Sequence, residues 1–216
     1  MKKIFLTLSL CFFAFTIKAQ TSETPYYKLV NPFIGTDFHG HTYPGAIAPF
    51  GMVQLSPDTR IDGWDGCSAY HYSDDVIHGF SHTHLSGTGC SDYGDFLFTP
   101  TMKSSNSKDF TLKFSHKNEY AHAGYYKVTA WNQDTISTEL TSTERAGYHK
   151  YTFPTNKKSK AIVIDFKHRD QLLDMDYLVV NQNTVVGYRR SEAWNTDQRV
   201  YFAAHFNCEI TNSKFD

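Results

Sequence analysis

Beyond residue 95 the chain is written in short runs whose polarity alternates residue by residue, as in Phe110-Thr-Leu-Lys-Phe114 and Tyr125-Tyr-Lys-Val-Thr-Ala-Trp131. A period of two puts successive side chains on opposite faces of an extended strand, so each run can bury one face and wet the other. Asn132-Gln133 separates the second run from residues 135–140, and Asn181-Gln-Asn183 separates residues 177–180 from 184–189. Both interruptions read as hairpin turns. Further strands are expected at residues 52–56, 95–99, 148–153, 161–166 and 199–207, and Trp131, closing its run, is expected to pack in the core. No stretch carries the periodicity of a long amphipathic helix. Many short strands with turn signals between them predict an all-β fold, an antiparallel β-sandwich whose two sheets cover each other's apolar faces. The run Val200-Tyr-Phe-Ala-Ala-His-Phe206 reads as a core strand followed by only ten residues, so the sandwich is expected to be truncated before its last strands, with an unpaired edge.

The preceding segment has a different texture. Ten of the 13 glycines and six of the 11 histidines fall between Gly35 and Gly94. Glycine opens backbone conformations closed to other residues and permits close approach to a ligand, at an entropic cost that a plain scaffold avoids. Shaped loops on a rigid framework are where binding groups tend to sit, so function is expected here.

The first residues set the compartment. Lys2 and Lys3, an apolar run over residues 4–17 and Lys18-Ala19 form the pattern of a secretory signal peptide, residues 1–19. The run is shorter than the roughly 20 residues of a membrane-spanning helix, so no membrane span is expected. Cys11, between Leu10 and Phe12, reads as part of that run and not as a lipidation site. Export to a periplasm or the exterior is expected, with residues 20–216 as one β-sandwich domain. Removing residues 1–19 takes three lysines and no acids, which leaves a net charge of about −4. That balance, without a basic cluster, gives no reason to expect nucleic-acid binding. In an exported protein a Cys67–Cys90 disulfide is a candidate pairing, against three unpaired thiols at Cys67, Cys90 and Cys208.

Several groups in the glycine-rich segment carry chemistry. The His-x-His pairs His39/His41 and His82/His84 would present two rings on one face of a strand, which raises a metal reading. A zinc site needs three or four convergent ligands, and Cys67 and Cys90 are further candidates. The other reading has these rings bonding to backbone or to ligand hydroxyls. Trp64-Asp65 suits a sugar, whose C–H face packs on the indole while its hydroxyls donate to the carboxylate, and the plainer alternative is a core tryptophan with a turn aspartate. Asp58, Asp62, Asp65, Asp92 and Asp95 could supply paired carboxylates for glycoside hydrolysis, but sequence does not fix their separation. Neither a Gly-x-Ser-x-Gly elbow nor a phosphate-binding loop is present.

Four motifs, Val30-Asn-Pro-Phe-Ile-Gly-Thr36, Gly40-His-Thr-Tyr-Pro-Gly45, Pro49-Phe-Gly-Met-Val-Gln-Leu-Ser-Pro-Asp58 and Gly79-Phe-Ser-His-Thr-His-Leu-Ser-Gly-Thr-Gly89, closely resemble the amino-terminal domain of family 92 glycoside hydrolases, bacterial exo-acting α-mannosidases. The likeness continues through Glu144-Arg-Ala-Gly-Tyr-His-Lys-Tyr-Thr-Phe-Pro154 and Val200-Tyr-Phe-Ala-Ala204. One departure is Gly66, where the family is expected to carry a second tryptophan after Trp64-Asp65.

The resemblance implies an amino-terminal sandwich packed on a carboxy-terminal α-helical barrel domain, which this chain lacks, with the active site between them. It implies hydrolysis with inversion of mannosidic bonds in glycans, of α-1,2 type, by a glutamic acid and an aspartate that belong to the barrel. Calcium is implied as cofactor, bound by the same absent domain. No catalytic or metal-binding residue of the family maps onto this chain, which alone is expected to be inactive. The residues implied to shape the mannose subsites are Trp64, Asp65, His82, His84, His39, His41 and Cys67. Two alternatives stand beside this reading: a non-catalytic mannose- or mannan-binding module, and a small zinc enzyme built from His39, His41, His82 and His84.

Overall fold

The alternation becomes antiparallel pairing throughout. The computed structural model describes residues 25–104, 106–156 and 159–214, and the expected signal peptide lies outside them. Among the described residues fourteen strands form three sheets, the helical pieces are three short 3-10 turns, and no helix is long and apolar enough to cross a membrane. The first sheet runs in the order β1 (Ala46–Ile47), β2 (Gln54–Asp58), β4 (Gly79–Ser81), β5 (Leu97–Thr101), β11 (Ala161–Asp165). The second has β10 (Gly147–Thr152), β9 (Thr135–Ser142), β8 (Tyr125–Trp131), β6 (Leu112–Lys113) and β3 (Val76–Ile77), with β7 (Glu119–His122) also paired to β8. The third is a meander of β12 (Gln171–Asn181), β13 (Thr184–Glu192) and β14 (Gln198–His205). Both expected hairpins form, with Trp131 opposite Thr135 and Asn181 opposite Thr184.

Two expected strands are displaced toward the carboxy terminus for visible reasons. Phe96 takes φ 55°, which no strand continues through, so β5 begins at Leu97 instead of residue 95. Met52 and Val53 both donate their amides to the Glu144 carbonyl, which delays β2 to Gln54. Four short strands, β1, β3, β4 and β7, leave no mark in the sequence, because two to four residues are too few to show a period. Trp131 is not a core residue. Tyr126, Val128 and Ala130 take the inner face of β8, so the pleat turns Trp131 outward at 39% exposure.

Two apolar clusters share one face of the five-stranded sheet. Leu55 and Phe80 pack with Leu112, Tyr126, Val128, Ile136 and Leu140 of the six-stranded sheet. Phe96, Phe98, Ile162 and Ile164 pack instead with Met175, Tyr177, Val200 and Phe202 of the meander. Phe80 and Phe98 are opposite one another across β4 and β5, and opposite residues point the same way. The six-stranded sheet and the meander therefore lie side by side on a common layer. Phe98 marks the seam, with the rings of both His149 and Phe202 against it. The expected sandwich is present, with its second layer divided in two.

The opposite face of the five-stranded sheet is polar yet buried. Ser56 and Asp58 on β2 and Ser81 on β4 have no exposure, because the glycine- and histidine-rich loops cover them. Beyond β14 the chain is tied back to the β12–β13 turn, where Phe206 donates to the Asn183 carbonyl and Ile210 to that of Gln182.

Candidate functional site

Three loops meet above the polar face, and backbone hydrogen bonds fix each of them. Thr42 donates to the Gly35 carbonyl and Tyr72 to that of Thr36, closing the first loop. Thr59 and Arg60 both donate to Ala69, closing the second at its base and leaving its tip, a 3-10 turn over Trp64–Gly66, projecting. Gly94 donates to Thr83 to close the third, and Gly87 donates to the His41 carbonyl at 2.6 Å to join it to the first. Tyr70 anchors the second loop from below by donating to the Glu119 carboxylate. Seven non-glycine residues have positive φ among those described, and six of them lie between Phe38 and Phe96. Strained backbone concentrated in this way requires surroundings that hold it, and it is common at binding sites.

At the rim four predicted residues come together. His39 Nδ1 and His41 Nε2 lie 2.7 Å and 3.2 Å from the same atom, Asp65 Oδ1. The Trp64 indole, 56% exposed, has the His39 ring tilted against it and the His41 ring edge-on, with centroids 4.8 Å and 4.4 Å away. His41 itself is buried and sits at φ 52°. The His39 contact, reinforced by His41, outweighs partial burial and holds the Asp65 carboxyl below the usual carboxylate range. Asp65 is thus an anionic acceptor beside an exposed aromatic face, the pairing that sugar recognition uses.

Gly89 completes the rim and was not singled out from the sequence. A Cβ placed there would stand 2.3 Å from Trp64 Nε1, so only glycine lets the third loop lie against the indole. The Gly87-Thr-Gly89 spacing was its only signal. Cys67 packs just below, its thiol donating to the Thr88 carbonyl, and burial pushes its pKa up. Cys67 and Cys90 are both free thiols, so the candidate disulfide is not formed; the Cys67 sulfur is turned to the Thr88 carbonyl.

His82 and His84 do not join this group. Strand β4 ends at Ser81, so the two-residue spacing no longer puts both rings on one face. His82 enters the seam between sheets, where Nδ1 donates to the Phe96 carbonyl and Nε2 lies 2.9 Å from His149 Nε2. Burial pushes its pKa down to about 4. His84 turns the other way into the polar layer, with Nδ1 donating to the Gln54 carbonyl and Nε2 3.1 Å from Asp58 Oδ1. The four histidines therefore do not converge, which removes the zinc enzyme built from all of them.

The other carboxylates are mostly occupied. Asp58 accepts from Ser81, and His168 Nε2 is 3.3 Å from its second oxygen. Burial pushes this carboxyl up, but His168 and His84 together outweigh that and hold it far below the usual range. Asp95 is fully buried against Arg189 and Gln198. Neither is placed to transfer a proton to a ligand at the rim.

Residues 29–215 match the family described as glycosyl hydrolase family 92 N-terminal domain. Among solved structures, the family GH92 α-mannosidase BT3965 of Bacteroides thetaiotaomicron, solved alone and in complex with mannoimidazole, superposes with a TM-score of 0.79 at 35% identity. That match covers 86% of this chain and 26% of the mannosidase. The GH92 family glycosyl hydrolase ccman5 superposes with a TM-score of 0.70 at 27% identity, over 82% of this chain and 26% of its own. A protein of Arthroderma benhamiae named an uncharacterized secreted glycosidase is 29% identical over 162 residues, which are 68% of this chain and 20% of that protein. The chain thus spans between a fifth and about a quarter of the relatives it matches.

Proposed function

This chain belongs to glycosyl hydrolase family 92, of which it is an N-terminal domain, and on that premise we propose that it supplies one wall of the mannoside-binding cleft of an exported α-1,2-type mannosidase that acts with inversion. The observation that carries this is the rim itself: an exposed indole at Trp64 beside the Asp65 carboxylate, with two imidazoles aligned on it. A sugar ring laid on the indole buries its C–H face while a hydroxyl donates to Asp65. His39 and His41 orient that carboxylate, and Cys67 supports the loop beneath it.

The Bacteroides thetaiotaomicron relative, an α-mannosidase solved with mannoimidazole, supports mannose as the sugar. The name of the Arthroderma benhamiae relative, a secreted glycosidase, supports export. The general acid, the base for water and the calcium belong to residues outside this chain. The occupied state of Asp58 and Asp95 is in keeping with that division. So is the one group of three potential metal ligands among the described residues, His39, His41 and Asp65, since calcium takes six to eight oxygens.

Alone, the chain should show no turnover. The test is to assay it on α-1,2-linked mannobiose with calcium, next to a Trp64→Ala control, and to titrate methyl α-mannoside calorimetrically. Hydrolysis above the control overturns the division of labour. Strong binding without hydrolysis would favour an autonomous mannose-binding module, because half a cleft should hold a monosaccharide no tighter than the millimolar range, about 4 kcal/mol.

A further inference from the structure

We propose that His39, His41 and Asp65 form a site for a divalent transition metal of the zinc, cobalt and nickel class. One ligating atom from each, all within 4.8 Å of one another, can face a common point. Ligands bound to zinc at about 2.0–2.2 Å lie a little over 3 Å apart, and the His41 to Asp65 separation of 3.2 Å already has that value. The His39 to Asp65 separation of 2.7 Å needs only a small outward movement of an exposed ring.

The donor set selects the ion. Two imidazoles and one carboxylate match borderline cations, whereas calcium and magnesium require mostly oxygen. The three ligands are held to different degrees. Trp64 contacts both imidazoles and restricts their rotation, His41 is buried, and Asp65 sits in the 3-10 turn whose base is closed by Ala69. His39 is the least enclosed of the three, with 67% of its side chain exposed. Three protein ligands leave at least one coordination position to solvent, so water or a hydroxyl-bearing ligand completes the shell.

The metal reading uses the same three side chains as the mannoside rim, but it does not require that a sugar binds there. It also differs from the four-histidine zinc enzyme, because His82 and His84 are engaged elsewhere and Asp65 takes their place. An ion here would clip the first loop to the second, and the chain should melt at a higher temperature when loaded.

The experiment is calorimetric titration of the chelator-treated chain with zinc chloride, cobalt chloride and calcium chloride in turn, with the visible spectrum followed during cobalt addition. Expected are one equivalent of zinc, tetrahedral-type cobalt bands and no heat from calcium. His39→Ala and Asp65→Asn should each weaken zinc by at least about tenfold with an unchanged circular dichroism spectrum. His39→Ala alters an exposed ring, and Asp65→Asn keeps shape and volume, so both variants should fold. No zinc heat, or zinc affinity unaffected by either substitution, overturns the site and leaves a hydrogen-bonded triad.

Discussion

His82 Nε2 and His149 Nε2 lie 2.9 Å apart in the seam between the sheets, and their outer partners fix which ring donates. The Phe96 carbonyl can only accept, so His82 carries its proton on Nδ1 and accepts at Nε2. His149 therefore donates from Nε2 and accepts the Tyr151 hydroxyl at Nδ1, giving one directed chain from Tyr151 to Phe96. Both rings must be neutral for it to exist.

Acid should undo this chain early. Burial lowers both imidazoles, His82 to about 4 from an ordinary 6.5 and His149 well below that value. Between those limits the unfolded chain binds protons that the folded one refuses, so stability is complete above pH 6.5 and falls as pH drops toward 4. The slope is about 1.4 kcal/mol per pH unit for each ring. Urea denaturation at about pH 7 and about pH 5.5 should show it, and His149→Phe should reduce the loss while leaving the share of His82 and of His78, which burial lowers as well. An equal loss in the variant would place the pH dependence elsewhere.

Asp58 is the centre of the polar layer, and its removal should be costly. Asp58→Ala strips the partner from Ser81, His84 and His168 where no water reaches, a change of about 3–5 kcal/mol. The unfolding midpoint checks this. A loss under about 1 kcal/mol would mean that the layer rearranges around the gap.

Arg189 joins the meander to the rest of the molecule. It is fully buried on β13, donating to Asp95 at 2.7 Å, to the Phe166 carbonyl at 2.8 Å and to the Arg169 carbonyl. A lysine has one donor centre in place of that planar fork, so Arg189→Lys should cost about 3–5 kcal/mol despite keeping the charge. Hydrogen exchange should speed up across β12–β14 before the six-stranded sheet responds, whereas uniform exchange would contradict the local role.

Gly89→Ala tests the rim without touching the core. The added methyl pushes the exposed Trp64 indole off the third loop at the surface and leaves the core packing intact, so stability should change by less than about 1 kcal/mol. Tryptophan emission should shift to the red, and any mannoside or zinc affinity should fall. Unchanged emission would show that the third loop yields instead.

The long alternating runs carried the fold. Residues 125–131 and 135–140 appear as β8 and β9 because alternation over six or seven residues leaves only one face to bury. What escaped was set by tertiary contact: Phe96 at positive φ displaced a strand boundary, and nothing local distinguishes β4 from a loop. At the rim, the grouping of Trp64, Asp65, His39 and His41 in neighbouring loops is legible because unusual residues cluster between glycines. His82 and His84 misled because a two-residue spacing has a geometric meaning only inside a strand, and the strand had already ended.

The divided second layer has a kinetic consequence. The meander of β12–β14 and the run β7–β10 are built from neighbouring segments, and such local hairpins form quickly. The layer beneath them closes only when β11 reaches β5, about 60 residues earlier in the chain. Phe98 would then be the last large ring to lose water, since its cover comes from both units. Folding should proceed as two fast, independent nuclei and one slow docking step, and pulsed hydrogen exchange would resolve them in that order.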